Sequence, residues 1–170
     1  MTELLLVRHA ETEWNRVGRW QGHADPPLNE AGRAQARALA ETVAGEQVDA
    51  IYTSDLRRAA ETAAILGAAL GLPVTPDPDL REIDVGSWSG LTRDEVAERF
   101  PDWTTHDGES PDELQTRVVD AVRRIARRHP DGLVLIVTHG GSIRSLERHI
   151  HGRSERVLAN CELCRLPFDG

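Results

Sequence analysis

The run Leu4-Leu5-Leu6-Val7 is continuously apolar and short, the pattern of a central strand buried on both faces. A second strand is predicted around Val48 to Thr53. A third falls on Leu133 to Thr138, where Leu-Val-Leu-Ile-Val-Thr is the clearest strand signal in the chain. Shorter strands are predicted near Pro73 to Pro76 and Cys161 to Leu166. Between them the apolar period lengthens to that of helices. Asn29 is placed to cap a helix reaching about Ala44, with Leu28 as the outer half of a hydrophobic staple. Ser54 is placed to cap another, whose apolar side is Leu56, Ala59, Ala60, Ala63, Ala64 and Leu70. Ser110-Pro111-Asp112-Glu113 reads as a capping box with proline in the first turn. Leu114, Val118, Val122 and Ile125 then repeat at helical spacing until His129-Pro130-Asp131-Gly132 breaks the pattern. Strands alternating with helices predict an α/β protein: a three-layer α/β/α sandwich with a mostly parallel central sheet.

Composition narrows the partners. The 170 residues carry 28 acidic and 20 basic side chains, a formal charge of -8, and every basic residue is arginine. An acidic chain argues against non-specific nucleic-acid binding but leaves room for a local arginine cluster that holds a small anion. The length suits one domain, expected over 1–170, and neither repeat nor linker interrupts it. No apolar run is long enough for a bilayer, and Met1-Thr2-Glu3 lacks the basic start of a signal peptide, so a cytoplasmic protein is expected. Cys161 and Cys164 have no further ligands in sequence for a metal, and they read as ordinary residues of a late strand.

In a parallel α/β sheet, ligands gather beyond the carboxyl ends of the strands. There the first strand delivers Arg8 and His9, the second Thr53-Ser54 and then Arg57, the third His139-Gly140-Gly141. The expectation is one cationic pocket. Arg57 would lie in the first turn of its helix, where an anion could meet both guanidinium and backbone amides. Arginines disfavour a metal and favour phosphate. A neutral histidine can attack phosphorus while the other cations stabilise the oxygens. An acid is still needed for the departing oxygen, and Asp79, Glu82 and Asp84 all stand in one loop-like segment.

At these residues the chain resembles the histidine phosphatase superfamily, the phosphoglycerate-mutase-like fold. The matching segments are Arg8-His9-Ala10-Glu11-Thr12-Glu13-Trp14-Asn15, Gln21-Gly22, Pro27-Leu28-Asn29-Glu30-Ala31-Gly32 and Thr53-Ser54-Asp55-Leu56-Arg57-Arg58-Ala59-Ala60-Glu61-Thr62-Ala63. Leu80-Arg81-Glu82, Gly86-Ser87-Trp88-Ser89-Gly90, Gly108-Glu109-Ser110 and His139-Gly140-Gly141 follow in the same order. The resemblance makes His9 the nucleophile, Arg8, Arg57 and His139 the phosphate clamp, and Glu82 the proton donor. Asn15, Gln21, Gly22, Glu109 and Trp88 become candidate substrate contacts. Residues 77–110 become a modest insertion over the site.

The implied reaction is hydrolysis of a small-molecule phosphomonoester, without metal or other cofactor, through phosphohistidine on His9. Its short chain resembles the broad-specificity phosphatase branch. A phosphoglycerate mutase, a specialised phosphatase such as one for alpha-ribazole phosphate, and an idle phosphate-binding module are the rivals. A monomer or homodimer is expected, with no nucleic-acid or membrane partner. Two positions depart from the family pattern. Ala10 stands where glycine is usual, and is expected to be accommodated by a small shift. Val85 replaces a commonly aromatic residue. Trp14, Trp20 and Trp103 with His106 are candidate wall or lid residues, while His23, His149 and His151 are read as surface or local structural histidines.

Overall fold

Successive residues of a strand face opposite sides of its sheet, and β1 (Thr2–Arg8) uses that alternation to build two cores. In this computed structural model, which describes residues 1–102 and 107–169, Leu4 and Leu6 pack into one buried cluster and Leu5 and Val7 into another. The first cluster is closed by α5 (Pro111–Arg128) and α6 (Gly140–His151), the second by α2 (Glu30–Val43) and α3 (Arg57–Leu70). The chain is therefore a three-layer α/β/α sandwich. The short helices α1 (Glu13–Arg16) and α4 (Arg93–Arg99) belong to connections between these layers. Alanine on the inward stripes of α2 and α3 brings both helices close to the sheet.

The remaining strands are β2 (Ala50–Thr53), β3 (Val74–Pro76), β4 (Leu133–Thr138) and β5 (Leu163–Phe168). Their order is β3-β2-β4-β1-β5, parallel except for β5, which runs antiparallel to β1 along one edge. The late insertion of β4 between β1 and β2 creates the chain reversal at which open α/β sheets bind ligands. Register makes this concrete. Arg8 is level with Thr138, and Val137 is level with both Val7 and Thr53, so the chain leaves three adjacent strands at one height.

Most predicted boundaries agree with these elements, including the Asn29 cap and the Ser110 capping box. The start of α3 differs. Its cap residue is Leu56, with no side-chain cap, because Ser54 Oγ meets His139 Nε2 at 2.9 Å and accepts the Leu56 N–H at 3.3 Å. Among the described residues no helix is long and apolar enough to cross a membrane. Burial pushes both thiols, of Cys161 and Cys164, up to about 11, which leaves them unreactive near neutrality.

Candidate active site

Beyond the strand ends lies a cavity of about 230 Å³ whose lining includes Arg8, His9, Asn15, Arg58, Glu82 and Arg144. His9 is 3% exposed and His139 fully buried, with ring centroids 5.2 Å apart. The tautomer of His9 follows from its partner. Nδ1 lies 2.7 Å from the Ala10 carbonyl, which can only accept, so Nδ1 carries the proton and Nε2 keeps its lone pair. Burial, then the charge on Arg58, hold the His9 imidazole well below the usual histidine range. Burial, then Arg58, do the same for His139. Both rings are neutral at pH 7.

The α3 arginine that faces the cavity is not the expected Arg57 but its neighbour Arg58. Arg57 does not line the cavity: its side chain is 58% exposed and pairs with Glu61 at 3.7 Å across one helical turn. Arg58 does line it, at 1% exposure. Neighbours on a helix point about 100° apart, so only one of them can face inward. Arg58 shares its stripe with buried Thr62 and Leu66, four and eight residues on, and this periodicity is the signal by which sequence could have found it. Arg58 Nη1 donates to the Ala24 carbonyl and Nη2 to the Gly22 carbonyl, each at 2.7 Å. Burial lowers its guanidinium to about 10, still charged at neutral pH. Arg8 Nη1 donates to the Leu158 carbonyl, and desolvation lowers this guanidinium too. The Nε atoms of both arginines and Nδ1 of His139 are buried without a hydrogen-bond partner.

Glu82 faces the same cavity. Its Oε2 accepts the Gly141 N–H at 3.0 Å and Oε1 accepts the Ile83 N–H at 2.9 Å. Gly141 is required for this approach, since a Cβ there would stand 2.2 Å from Oε1. Gly22, also on the lining, has φ +50 and would thrust a Cβ to 2.6 Å from Val85 Cγ2. Gln21 lines the cavity with its Oε1 2.9 Å from Thr12 Oγ1, whose single proton is shared between it and Asn15 Oδ1 at 3.1 Å.

Two candidate substrate contacts are placed elsewhere. Glu109 does not reach the cavity. It pairs with Arg117 at 2.6 Å, and Arg117 in turn donates to the carbonyls of Asp79, Arg81 and Glu82. Sequence reading missed Arg117, which braces the segment that carries Glu82. Trp88 is buried between Trp20 and Phe100 rather than on the lining, because its ring fills the small core with Val85 and Val96. Trp20 and Val85 do line the cavity, whereas Trp14 rests against Gly90. Trp103 and His106 lie outside the described residues. His23 is a structural contact, its Nε2 2.8 Å from the Glu82 carbonyl. Ala10 is fully buried against Leu28 and Ala36, and its φ is not positive, so its methyl fills space without backbone strain. Among the described residues no cluster of His, Cys, Asp and Glu could hold a metal ion.

Unpaired guanidinium donors, a neutral imidazole and a carboxyl group sharing one cavity suit the transfer of a phosphoryl group. The histidine phosphatase superfamily (branch 1) matches residues 4–170, and the chain belongs to it. It is 41% identical over 169 residues to phosphoglycerate mutase-like protein 4 of Arabidopsis thaliana, covering 91% of this chain and 74% of that protein. Identity to phosphoserine phosphatase 1 of Hydrogenobacter thermophilus is 38% over 157 residues, 86% of this chain and 74% of that one. The solved structure of Bacillus stearothermophilus YhfR superposes with a TM-score of 0.93 at 35% identity, over 100% of this chain and 93% of that chain. The general activity is that of a histidine-phosphatase-type phosphomonoesterase.

Proposed function

We propose that the chain hydrolyses small-molecule phosphate monoesters by two displacements at His9, with no metal in the reaction. Nε2 of His9 attacks phosphorus in line. The ester P–O bond breaks, and Glu82 gives its proton to the departing alkoxide. Glu82, now a carboxylate, takes a proton from water, whose oxygen attacks the phosphohistidine. The P–N bond breaks and inorganic phosphate leaves. Arg8, Arg58 and His139 bind the equatorial oxygens, and Asn15 and the amides at the start of α6 border the same space.

The observation that carries this reading is the set of buried donors without partners, Arg8 Nε, Arg58 Nε and His139 Nδ1, gathered around His9. Leaving such groups unpaired costs about 1–3 kcal/mol each, more when charged, unless a ligand satisfies them. Ser54 Oγ already accepts one N–H, so its own proton is free for His139 Nε2, which leaves Nδ1 of His139 as a donor.

Rapid alkaline quench with an aryl ester labelled in its phosphoryl group tests the proposal. An acid-labile, alkali-stable phosphoenzyme is expected in the wild type and absent in His9→Ala. Glu82→Gln should form it from the aryl ester yet lose about 100-fold or more of kcat on an alkyl ester, which needs the proton. Normal alkyl-ester turnover by Glu82→Gln would overturn the acid role. Release of an isomerised ester instead of inorganic phosphate would make the chain a mutase.

A further inference from the structure

The strand ladder reaches His9 and ends there. The His9 N–H donates to the Thr138 carbonyl at 2.9 Å. Beyond it, the peptide unit joining His9 to Ala10 is held by side chains at both ends. The Ala10 N–H donates to Thr62 Oγ1 at 3.0 Å. The His9 carbonyl accepts from Asn160 Nδ2 at 3.0 Å, with the Cys161 N–H at 3.3 Å as a more distant partner. Asn160 Nδ2 has a second proton, and Asn15 Oδ1 lies 3.3 Å from it. One amide thus clips the main chain of His9 to the side chain of Asn15.

Backbone groups decide which way both amides face. The His9 carbonyl can only accept, so Asn160 presents Nδ2 to it. Asn15 Oδ1 accepts the Thr12 N–H at 3.1 Å, which leaves Nδ2 at the other end of that amide. Asn15 lines the cavity, and its Nδ2 has no hydrogen bond among the described residues. Its two N–H donors are therefore left for an oxygen in the cavity. Asn160 is not on the lining, so whatever it contributes passes through its two partners. The turn that carries it, Ala159 to Glu162, is closed by the Glu162 N–H on the Ala159 carbonyl at 3.1 Å. The third residue of that turn, Cys161, has φ +58, where glycine or asparagine is usual. Asparagine stands one position earlier, where the turn does not call for it. Its contacts with His9 and Asn15 account for its presence there.

We infer that Asn160 is a positioning residue for phosphoryl transfer. It steadies the His9–Ala10 peptide unit and turns the Asn15 amide so that its N–H groups meet the oxygens of the transferred group. This inference rests on the phosphomonoesterase reading of the same cavity. Misplacing the attacking atom and losing one oriented donor both act on formation of the phosphoenzyme, which kcat/KM reports. Asn160→Ala should lower kcat/KM by about 10- to 100-fold, and equally on aryl and alkyl esters, because the leaving group's proton is not involved. Asn160→Asp, of the same size, sets an acceptor against the His9 carbonyl and Asn15 Oδ1 and should lose at least as much. In a double-mutant cycle with Asn15→Ala, the combined loss should fall short of the product of the single losses by about threefold or more. The cycle is run with both Asn160 variants, so a folding defect in Asn160→Ala, seen by chemical denaturation, does not decide it.

Losses that simply multiply would make Asn160 a support of the fold and overturn the inference. So would wild-type rates in Asn160→Asp, or a loss confined to alkyl esters, which would place its effect on Glu82. Absence of any turnover and of any phosphoenzyme in the wild type would overturn the phosphomonoesterase reading itself, a result separable from the other three.

Discussion

Arg8, His9 and His139 stand at the ends of β1 and β4, where a continuous parallel ladder fixes their height to within one register step. Glu82 stands in a connection with no strand or α-helix of its own, between short 3-10 turns at Pro78–Leu80 and Gly86–Trp88. It is positioned by side chains reaching in from elsewhere: Arg117 on its carbonyls, His23 on its own carbonyl, and Thr138 Oγ1 on the carbonyl of Leu80 at 2.7 Å. The His9 side is set by strand pairing, whereas the Glu82 segment is braced by side chains and its carboxylate rests on the Gly141 and Ile83 N–H groups. A site built this way can change its Glu82 side by substitution without disturbing the strands that present His9.

The largest effect that would break this comparison lies on the strand-end side. Arg58→Leu should cut kcat/KM by at least about 100-fold, as loss of one donor to a developing oxyanion does. Arg57→Leu should stay within about twofold, as an exposed pair contributes little. Equal effects would return the clamp to Arg57. A smaller effect is expected at the acid side. Arg117→Met should lower kcat/KM about 10-fold on alkyl esters, because Glu82 loses its alignment. On aryl esters, which scarcely need the proton, kcat/KM should be spared, since it reports only the steps up to the phosphoenzyme. A uniform loss on both would mean that Arg117 merely supports the fold.

The mildest test is pH. Both histidines are held neutral in the folded state, so the acid limb of kcat/KM should lie below pH 6.5, the ordinary histidine value. The sign for stability is also fixed. Between the depressed folded values and about 6.5 the unfolded chain binds more protons, so stability falls as pH drops through that window. Each ring contributes at most about 1.4 kcal/mol per pH unit. Chemical denaturation from pH 7 to pH 5 should show the midpoint moving to lower denaturant. A stability that rises on acidification would contradict neutral, buried rings.

Periodicity explains what the chain reveals unaided. The apolar run at Leu4 and the strand at Leu133 are buried on both faces, so local pattern and tertiary role coincide. Their strand-end residues were legible for the same reason. Arg57 and Arg58 were not separable by reading residue types, only by the phase of Thr62 and Leu66 on the same helix. Ser54 was misread as a cap because a distant histidine competes for its hydroxyl. Glu109 has the charge of a ligand, yet Arg117 claims it, and no local pattern announces that pairing.

Under the proposed mechanism the Ala10 carbonyl, by fixing the proton on Nδ1 of His9, would also dictate which isomer of the intermediate forms. Phosphorylation at Nε2 gives the tele isomer alone. Because Nδ1 keeps its proton throughout, the phosphorylated ring is an N-phosphoryl imidazolium cation, which departs in the second step as a neutral imidazole. In that scheme the ring would neither gain nor lose a proton over the whole cycle, and every proton exchanged with the alcohol or with water would pass through Glu82.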